Sequence, residues 1–213
     1  MFLAMAAGWT ASRRYQGNDM RVSREKAEEN RAAIVAAGSR LFREQGFDRV
    51  SVADVCGEAG LTHGGFYGHF ASKDALEAEC VDTAFSDKIA ELTDPASVAA
   101  MAGRYLSAAH RDNPGQGCAM AALGASVPQR DELLREHFAT DIGRYIDALT
   151  AALGGEGRAG RDRAILLVSA LVGGLTLARA GKASPELSEE ILASLRASVG
   201  KLLPDGIALN NAA

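Results

Sequence analysis

The sequence predicts an all-α fold in which a small N-terminal domain of three helices precedes a larger helical domain. Three observations carry that prediction. Residues 51–70, SVADVCGEAGLTHGGFYGHF, read as two short helices about a glycine turn. Downstream, alanine- and leucine-rich tracts repeat apolar residues at helical spacing with little β-branched alternation. The chain of 213 residues is 47% hydrophobic, enough for a small domain plus a larger one, and its five prolines and 6% aromatics suit helices. The boundaries expected are a flexible tail over 1–22, the small domain over 23–73, the larger domain over 74–203 and a tail over 204–213.

Met1–Thr10 is apolar, lacks a basic leader and is followed by Arg13-Arg14, so no signal peptide is expected. Met20 is a second candidate start. Arg13, Arg14, Arg21 and Arg24 are open to two readings, a DNA-groove arm or a solvated leader. From Ser23 a helix runs to about Gln45, burying Ile34, Ala37, Leu41 and Phe42, and Gly46 ends it. Arg31, Arg40, Arg43 and Arg49 lie off that stripe, either as phosphate contacts or as solvated surface.

Ser51 is the expected N-cap of the next helix, its hydroxyl accepting a bond from a backbone N–H one turn in. Val52, Val55, Cys56 and Ala59 form that helix's apolar stripe, and Gly60 stops it as a left-handed C′ residue. Thr62 is the expected N-cap of a second helix anchored by Phe66, Tyr67 and Phe70. Two helices joined by such a turn make a helix-turn-helix, whose second helix enters the DNA major groove with its N-terminal part nearest the bases. Here that part is Thr62-His63-Gly64-Gly65, followed by Phe66-Tyr67-Gly68-His69. Adjacent glycines cost a helix roughly 1 kcal/mol each relative to alanine. Their missing Cβ atoms bring the backbone close either to DNA or to a neighbouring helix.

This stretch resembles the tetracycline-repressor (TetR) family of transcriptional regulators. The likeness rests on Ala33-Ile34, Ala37, Leu41-Phe42 and Gly46-Phe47, then Ser51-Val52, Val55-Cys56, Ala59-Gly60-Leu61-Thr62, Gly64, Phe66-Tyr67 and His69-Phe70, and finally Ser72-Lys73-Asp74 and Leu76. It covers roughly residues 25 to 90; beyond them only helical content and length agree. Cys56 stands where the family usually has alanine, and Gly65 where a larger side chain is usual. The resemblance implies duplex DNA as partner, a palindromic operator, a homodimer, and a small-molecule effector bound by the C-terminal domain. The expected DNA contacts are Ser51, Thr62, His63, Gly64, Gly65, Tyr67, His69 and Lys73, the last at the first turn of the following helix.

Ser72 is expected to cap a helix from Lys73 to about Leu92 with Leu76, Cys80, Phe85, Ile89 and Leu92 on one side. It joins the DNA-reading head to everything downstream, so it is the expected transmission element. A helix near Val98–Ala109 follows, then a loop over 110–117, a helix from Cys118 to Pro128 and another over 129–153. Gly154-Gly155-Glu156-Gly157 is a linker, since no strand precedes it and no lysine follows at phosphate-loop spacing. Met101, Tyr105, Cys118, Met120, Phe138, Tyr145 and Leu171 are the candidate effector-lining residues, each also readable as plain core. Cys118, at the start of a helix, is a candidate reactive thiol or a buried small hydrophobe. Residues 162–180 are apolar nearly all round, with Ala170, Gly174 and Ala178 as a smooth strip, yet the fifteen-residue apolar run is too short for a bilayer. With Leu187, Ile191 and Leu195 of the last helix they are the expected dimerisation residues, as the resemblance also implies.

Net charge is −4 overall, but residues 1–73 hold 10 Lys/Arg against 8 Asp/Glu, and residues 74–213 hold 13 against 19. The more positive end thus carries the helix-turn-helix. Three dispersed cysteines fit neither a disulfide framework nor a zinc site, so a reducing cytoplasm is expected. The histidines His63, His69, His110 and His137 have no metal-ligand spacing, and a Cys118–His110–Asp112 triad has only sequence proximity behind it. The expected protein is therefore a DNA-binding regulator, not an enzyme, with no cofactor, no metal and no membrane partner. It is released from DNA by a small molecule or by thiol modification at Cys118. The competing reading is a helical protein-interaction adaptor with a degenerate helix-turn-helix.

Overall fold

A computed structural model describes the backbone of residues 16–209 and the side chains of residues 23–209. Among the described residues there are ten α-helices and no strand. The first, α1 (Gln16–Gln45), begins seven residues before Ser23. No proline interrupts 16–22, so the helix runs back through that serine and shortens the expected tail. Arg13 and Arg14 of the possible arm, and residues 210–213, lie outside the described residues, as does the Arg21 side chain.

The head forms as its caps dictate. In α2 (Val52–Glu58) the Ser51 hydroxyl accepts from Asp54 N–H at 3.1 Å, while the Asp54 carboxylate accepts from Ser51 N–H at 2.8 Å, a complete capping box. Gly60, at φ +70°, takes the left-handed position that ends the helix. The N–H of Leu61 then bonds the Cys56 carbonyl at 2.8 Å and that of Gly60 the Gly57 carbonyl at 3.2 Å, so the last carbonyls of α2 are satisfied. The second helix of the motif, α3 (His63–Phe66), is short; Thr62 has the extended backbone of an N-cap but its side chain makes no capping bond, contrary to expectation. Phe66 and Phe70, ring centroids 5.5 Å apart, anchor this turn in a buried core with Ile34, Phe42, Phe47, Val50, Val55 and Cys56.

Ser72 caps α4 (Lys73–Ala90), accepting from Ala75 N–H at 3.1 Å, and α4 lies against α1 through Leu76 and Cys80. Beyond it the boundaries differ from the sequence reading. Asp94 and Ser97 form a second capping box, which starts α5 (Pro95–Tyr105) earlier than expected. Ser107 caps a separate α6 (Ala108–Asp112), so His110, Arg111 and Asp112 are helical and not loop. After a 3-10 turn at Pro114–Gln116 comes α7 (Ala119–Leu123), which ends five residues before Pro128. Asp131 caps α8 (Glu132–Ala152), whose buried face carries Leu134, Phe138, Tyr145 and Leu149 against α4.

The closing hairpin joins α9 (Gly157–Ala180) to α10 (Pro185–Val199). Here the expected dimer strip is corrected. A Cβ added to Gly174 would lie 1.9 Å from Leu195 Cδ1, so glycine is what lets the two helices of one chain approach. Ala178 is fully enclosed, and its carbonyl accepts from Ser188 Oγ at 2.7 Å. Gly174 and Ala178 of the smooth strip therefore lie against α10 of the same molecule. The outer face of α9 stays open, with Leu166 55% and Leu177 61% exposed, beside Leu187 of α10 at 47%. The stretch Gly157–Ala183 is also long and apolar enough to cross a membrane by length and composition, which corrects the expectation that it is too short. The C-terminal segment is not wholly free, since Ile207 and Leu209 pack on the core.

Candidate nucleic-acid interface and internal cavity

The capping box, the glycine turn and the Phe66/Phe70 anchors together push one surface outward. Thr62, His63, Gly64, Gly65 and Tyr67 are exposed and His69 is half-buried. Nothing lies within 4 Å of a Cβ built on Gly64, and on Gly65 such an atom meets only Thr62 Oγ1 at 3.7 Å. The glycine pair is thus open to the outside, and packing against a neighbouring helix does not account for it. Tyr67 is held edge-on by Phe66 on one side, at 5.3 Å, and by His63 on the other, at 5.6 Å. An aromatic ring braced in this way presents its hydroxyl without losing much side-chain entropy.

Two expected contacts are already engaged. The Ser51 hydroxyl donates to Asp54 at 2.6 Å as well as capping α2; those bonds hold the Asp54 carboxyl below its usual pKa. The Lys73 ammonium is turned inward, donating to the Phe47 carbonyl and pairing with Glu77 at 3.3 Å, so in this conformation it is not free to meet a phosphate. Tertiary packing of α4 on the α1–α2 corner brings the Phe47 carbonyl to it, whereas Glu77, four residues on, is a local partner. Of the five head arginines, Arg31 pairs with Glu79, Arg40 with Glu44 and Glu58, and Arg43 donates to the Gly115 carbonyl. Arg24 and Arg49 are exposed and have no ion pair among the described residues.

Behind the head, α4, α5, α6, the 113–118 segment, α7, α8 and α10 line a half-open cavity of about 900 Å³. Met101, Tyr105, Cys118, Met120 and Tyr145 line it as expected. Phe138 and Leu171 do not: Phe138 sits edge-on to Phe85 at 5.4 Å within the α4–α8 contact, and Leu171 is sealed in the core along α9. The sequence reading missed the polar rim. There Glu91 pairs with Lys88 at 2.7 Å and with Arg104 at 2.9 Å, and Glu189 pairs with Arg196 at 2.6 Å. These partners meet only when α4, α5 and α10 are folded together, although Lys88 and Glu91 at i, i+3 were a signal open to view.

His110 organises the cavity wall. Its Nδ1 lies 2.8 Å from the Tyr105 carbonyl and must donate, while Nε2 accepts from Cys118 N–H at 3.1 Å, which assigns the neutral tautomer. Burial lowers its pKa, with Arg179 and Lys88 acting in the same direction, against the Tyr105 carbonyl. Both ring nitrogens are therefore committed to backbone. Asp112 pairs instead with Arg111 at 3.0 Å and Lys182 at 2.9 Å, so the Cys118–His110–Asp112 triad has no geometry to support it. Cys118 itself is buried, α7 behind it has five residues, and its own N–H is taken by His110. The long helix N-terminus on which its expected reactivity rested is absent. Cys56 and Cys80 are packed in the head and the α1–α4 contact, and burial pushes the Cys80 thiol up to about 12.

Two arginines tie the head to the larger domain, the first of them at the cavity wall. Arg43 on α1 donates through Nε and Nη2 to the Gly115 carbonyl, at 2.9 and 2.7 Å, in the segment that forms one cavity wall. Arg130, between the 127–129 turn and α8, bonds Asp48 of the head at 2.7 Å and buried Glu77 of α4 at 2.5 Å, with its guanidinium 5.3 Å from the centre of the Phe47 ring.

Residues 34–80, which include the helix-turn-helix of this head, match the family model described as bacterial regulatory proteins, tetR family. The HTH-type transcriptional regulator TtgR of Pseudomonas putida is 38% identical over 64 residues, which is 30% of this chain and 30% of TtgR. The chain thus matches less than a third of that relative's length. Two solved structures share the fold over most of the chain. Reduced NemR from E. coli has a TM-score of 0.67 at 20% identity, covering 86% of this chain and 98% of NemR. FadR from Bacillus subtilis, solved with stearoyl-CoA, has a TM-score of 0.57 at 16% identity, covering 77% of this chain and 96% of FadR. With the capped helix-turn-helix on the very residues that the family model matches, residues 34–80 of this chain carry the DNA-binding head of the tetR family of bacterial regulatory proteins.

Proposed function

We propose that two copies of this chain pair through α9 and α10, present their α3 surfaces to a palindromic operator, and let go when an effector fills the cavity. The observation that carries the reading is the exposed Thr62–His69 surface, braced from within and covered by nothing among the described residues. A single α3 reaches few base pairs, whereas a two-fold pair reads half-sites roughly 34–36 Å apart or at multiples of that spacing. The outer face of α9 supports the pairing. Ile165, Leu166 and Leu177 stand 39–61% exposed on it, and covering what remains of each gains on the order of 1 kcal/mol.

For the effector, the support is Arg43, which joins the 113–118 wall of the cavity to the head through the Gly115 carbonyl. Cys118 lines the same cavity, so a small electrophile that enters can modify its thiol and act as a second trigger; release by such a reagent that persists unchanged in Cys118→Ser excludes that route. For DNA reading, Tyr67→Ala removes an exposed side chain without touching the core. Fluorescence anisotropy on a duplex selected by the wild type is expected to show at least a tenfold loss, with dimerisation unchanged. Retention of full affinity would favour the interaction-adaptor reading of this motif.

A further inference from the structure

The cavity's hydrogen-bonding groups specify what it accepts. Tyr105 and Tyr145, 8% and 4% exposed, both belong to its wall. The Tyr105 hydroxyl has no hydrogen-bond partner, the neighbouring Cys118 thiol being at most a weak one, and that of Tyr145 reaches only Met101 Sδ at 3.9 Å. Burial raises the pKa of both phenols, so both keep their protons and remain donors. An unmatched buried hydroxyl is costly until an acceptor arrives. The charged groups do not compete for that role. Lys88, Arg104 and Arg196 are paired with Glu91 and Glu189 at the rim, and His110 is neutral with both nitrogens engaged. Arg179 and Arg43, which lack a carboxylate partner among the described residues, donate to the backbone carbonyls of His110, Arg111 and Gly115 and do not line the cavity. Among the described residues, every cation that lines it is salt-bridged, so a bound anion would have to break one of those pairs to be balanced. The remaining wall, with Met101, Met120 and Phe85, is apolar and polarisable and suits rings.

We infer that the cavity takes an uncharged, ring-bearing molecule whose carbonyl or similar acceptor oxygen is held by the Tyr105 and Tyr145 hydroxyls. The inference rests on the effector reading only for its regulatory meaning; the binding chemistry stands or falls separately.

Three probes of nearly one shape test it: benzophenone carries the acceptor, diphenylmethane lacks it, and 2-benzoylbenzoate adds a charge. Equilibrium dialysis against the full chain measures each. Benzophenone is expected to bind at least tenfold tighter than 2-benzoylbenzoate. Tyr105→Phe, which keeps the ring and the packing, is expected to weaken benzophenone about fivefold, the worth of one hydrogen bond, and diphenylmethane less than about twofold. Irradiating bound benzophenone should label peptides containing Met101 or Met120. Equal loss for ketone and hydrocarbon in Tyr105→Phe, equal or tighter binding of the carboxylate, or no binding of any probe would overturn the inference. Operator affinity is measured in parallel. A ketone that binds through Tyr105 and leaves DNA affinity unchanged contradicts the effector reading alone.

Discussion

His110 holds two backbone segments together only while it is neutral, because protonated Nε2 can no longer accept from Cys118 N–H. Its folded pKa lies below the ordinary 6.5, so the unfolded chain takes up the proton first. Its contribution to stability is therefore complete above pH 6.5 and is lost as pH falls through the depressed folded value. Thermal melts at about pH 7.5 and pH 5.5 check this, with wild type expected to lose more of its melting temperature than His110→Gln, which cannot ionise. Equal losses would remove His110 from the account. The same scale shows what local sequence conveys. Ser51 and Gly60 were legible because a cap or a left-handed turn is settled within four residues. The inward turn of Lys73 was not legible because its partners, Phe47 and Glu77, include one that only folding brings near. Thr62 shows the converse, since a good capping residue type does not guarantee a capping bond.

At the scale of elements, apolar periodicity located nearly every helix, and capping chemistry corrected the ends: Asp94, Ser107 and Asp131 each start a helix at a place that apolar spacing alone misjudged. In α9, periodicity could say that several faces are apolar but not which face α10 of the same chain would take. Gly174 resolves it, since only a residue without Cβ admits Leu195. The face left over is the proposed dimer seam, and it makes a prediction. Leu166→Glu with Leu177→Glu is expected to give a folded monomer by sedimentation, with helical circular dichroism retained and operator affinity reduced at least a hundredfold. A variant that stays dimeric places the seam elsewhere, and a wild type that is monomeric at micromolar concentration refutes it.

For the whole molecule, the question is how a filled cavity reaches a surface at the other end of α4. The sequence suggested α4 alone as the connection. The structure adds Arg43 on the Gly115 carbonyl and Arg130 bridging Asp48 and Glu77, contacts that join residues 53 to 82 positions apart and leave no trace in any local pattern. Glu77 is almost fully buried, and burial raises its pKa even with Arg130 and Lys73 beside it. Removing Arg130 leaves that buried carboxylate only the Lys73 ammonium, 3.3 Å from its other oxygen. Arg130→Met is therefore expected to cost about 3 kcal/mol in urea unfolding at about pH 7. Part of that loss should be recovered by Arg130→Met with Glu77→Gln, because the buried charge is then gone. Loss of less than about 0.5 kcal/mol would mean the bridge is weak and the head is coupled through α4 packing only.

The central claim, that paired α3 surfaces read DNA, is met most directly by selecting duplexes from a random library with the intact protein and measuring affinity at physiological salt for a recovered site and its scrambled version. The account predicts recovery of an inverted repeat with half-sites about one helical turn apart or a multiple of it, bound at least a hundredfold more tightly than the scrambled duplex. Equal affinity for the two would contradict it.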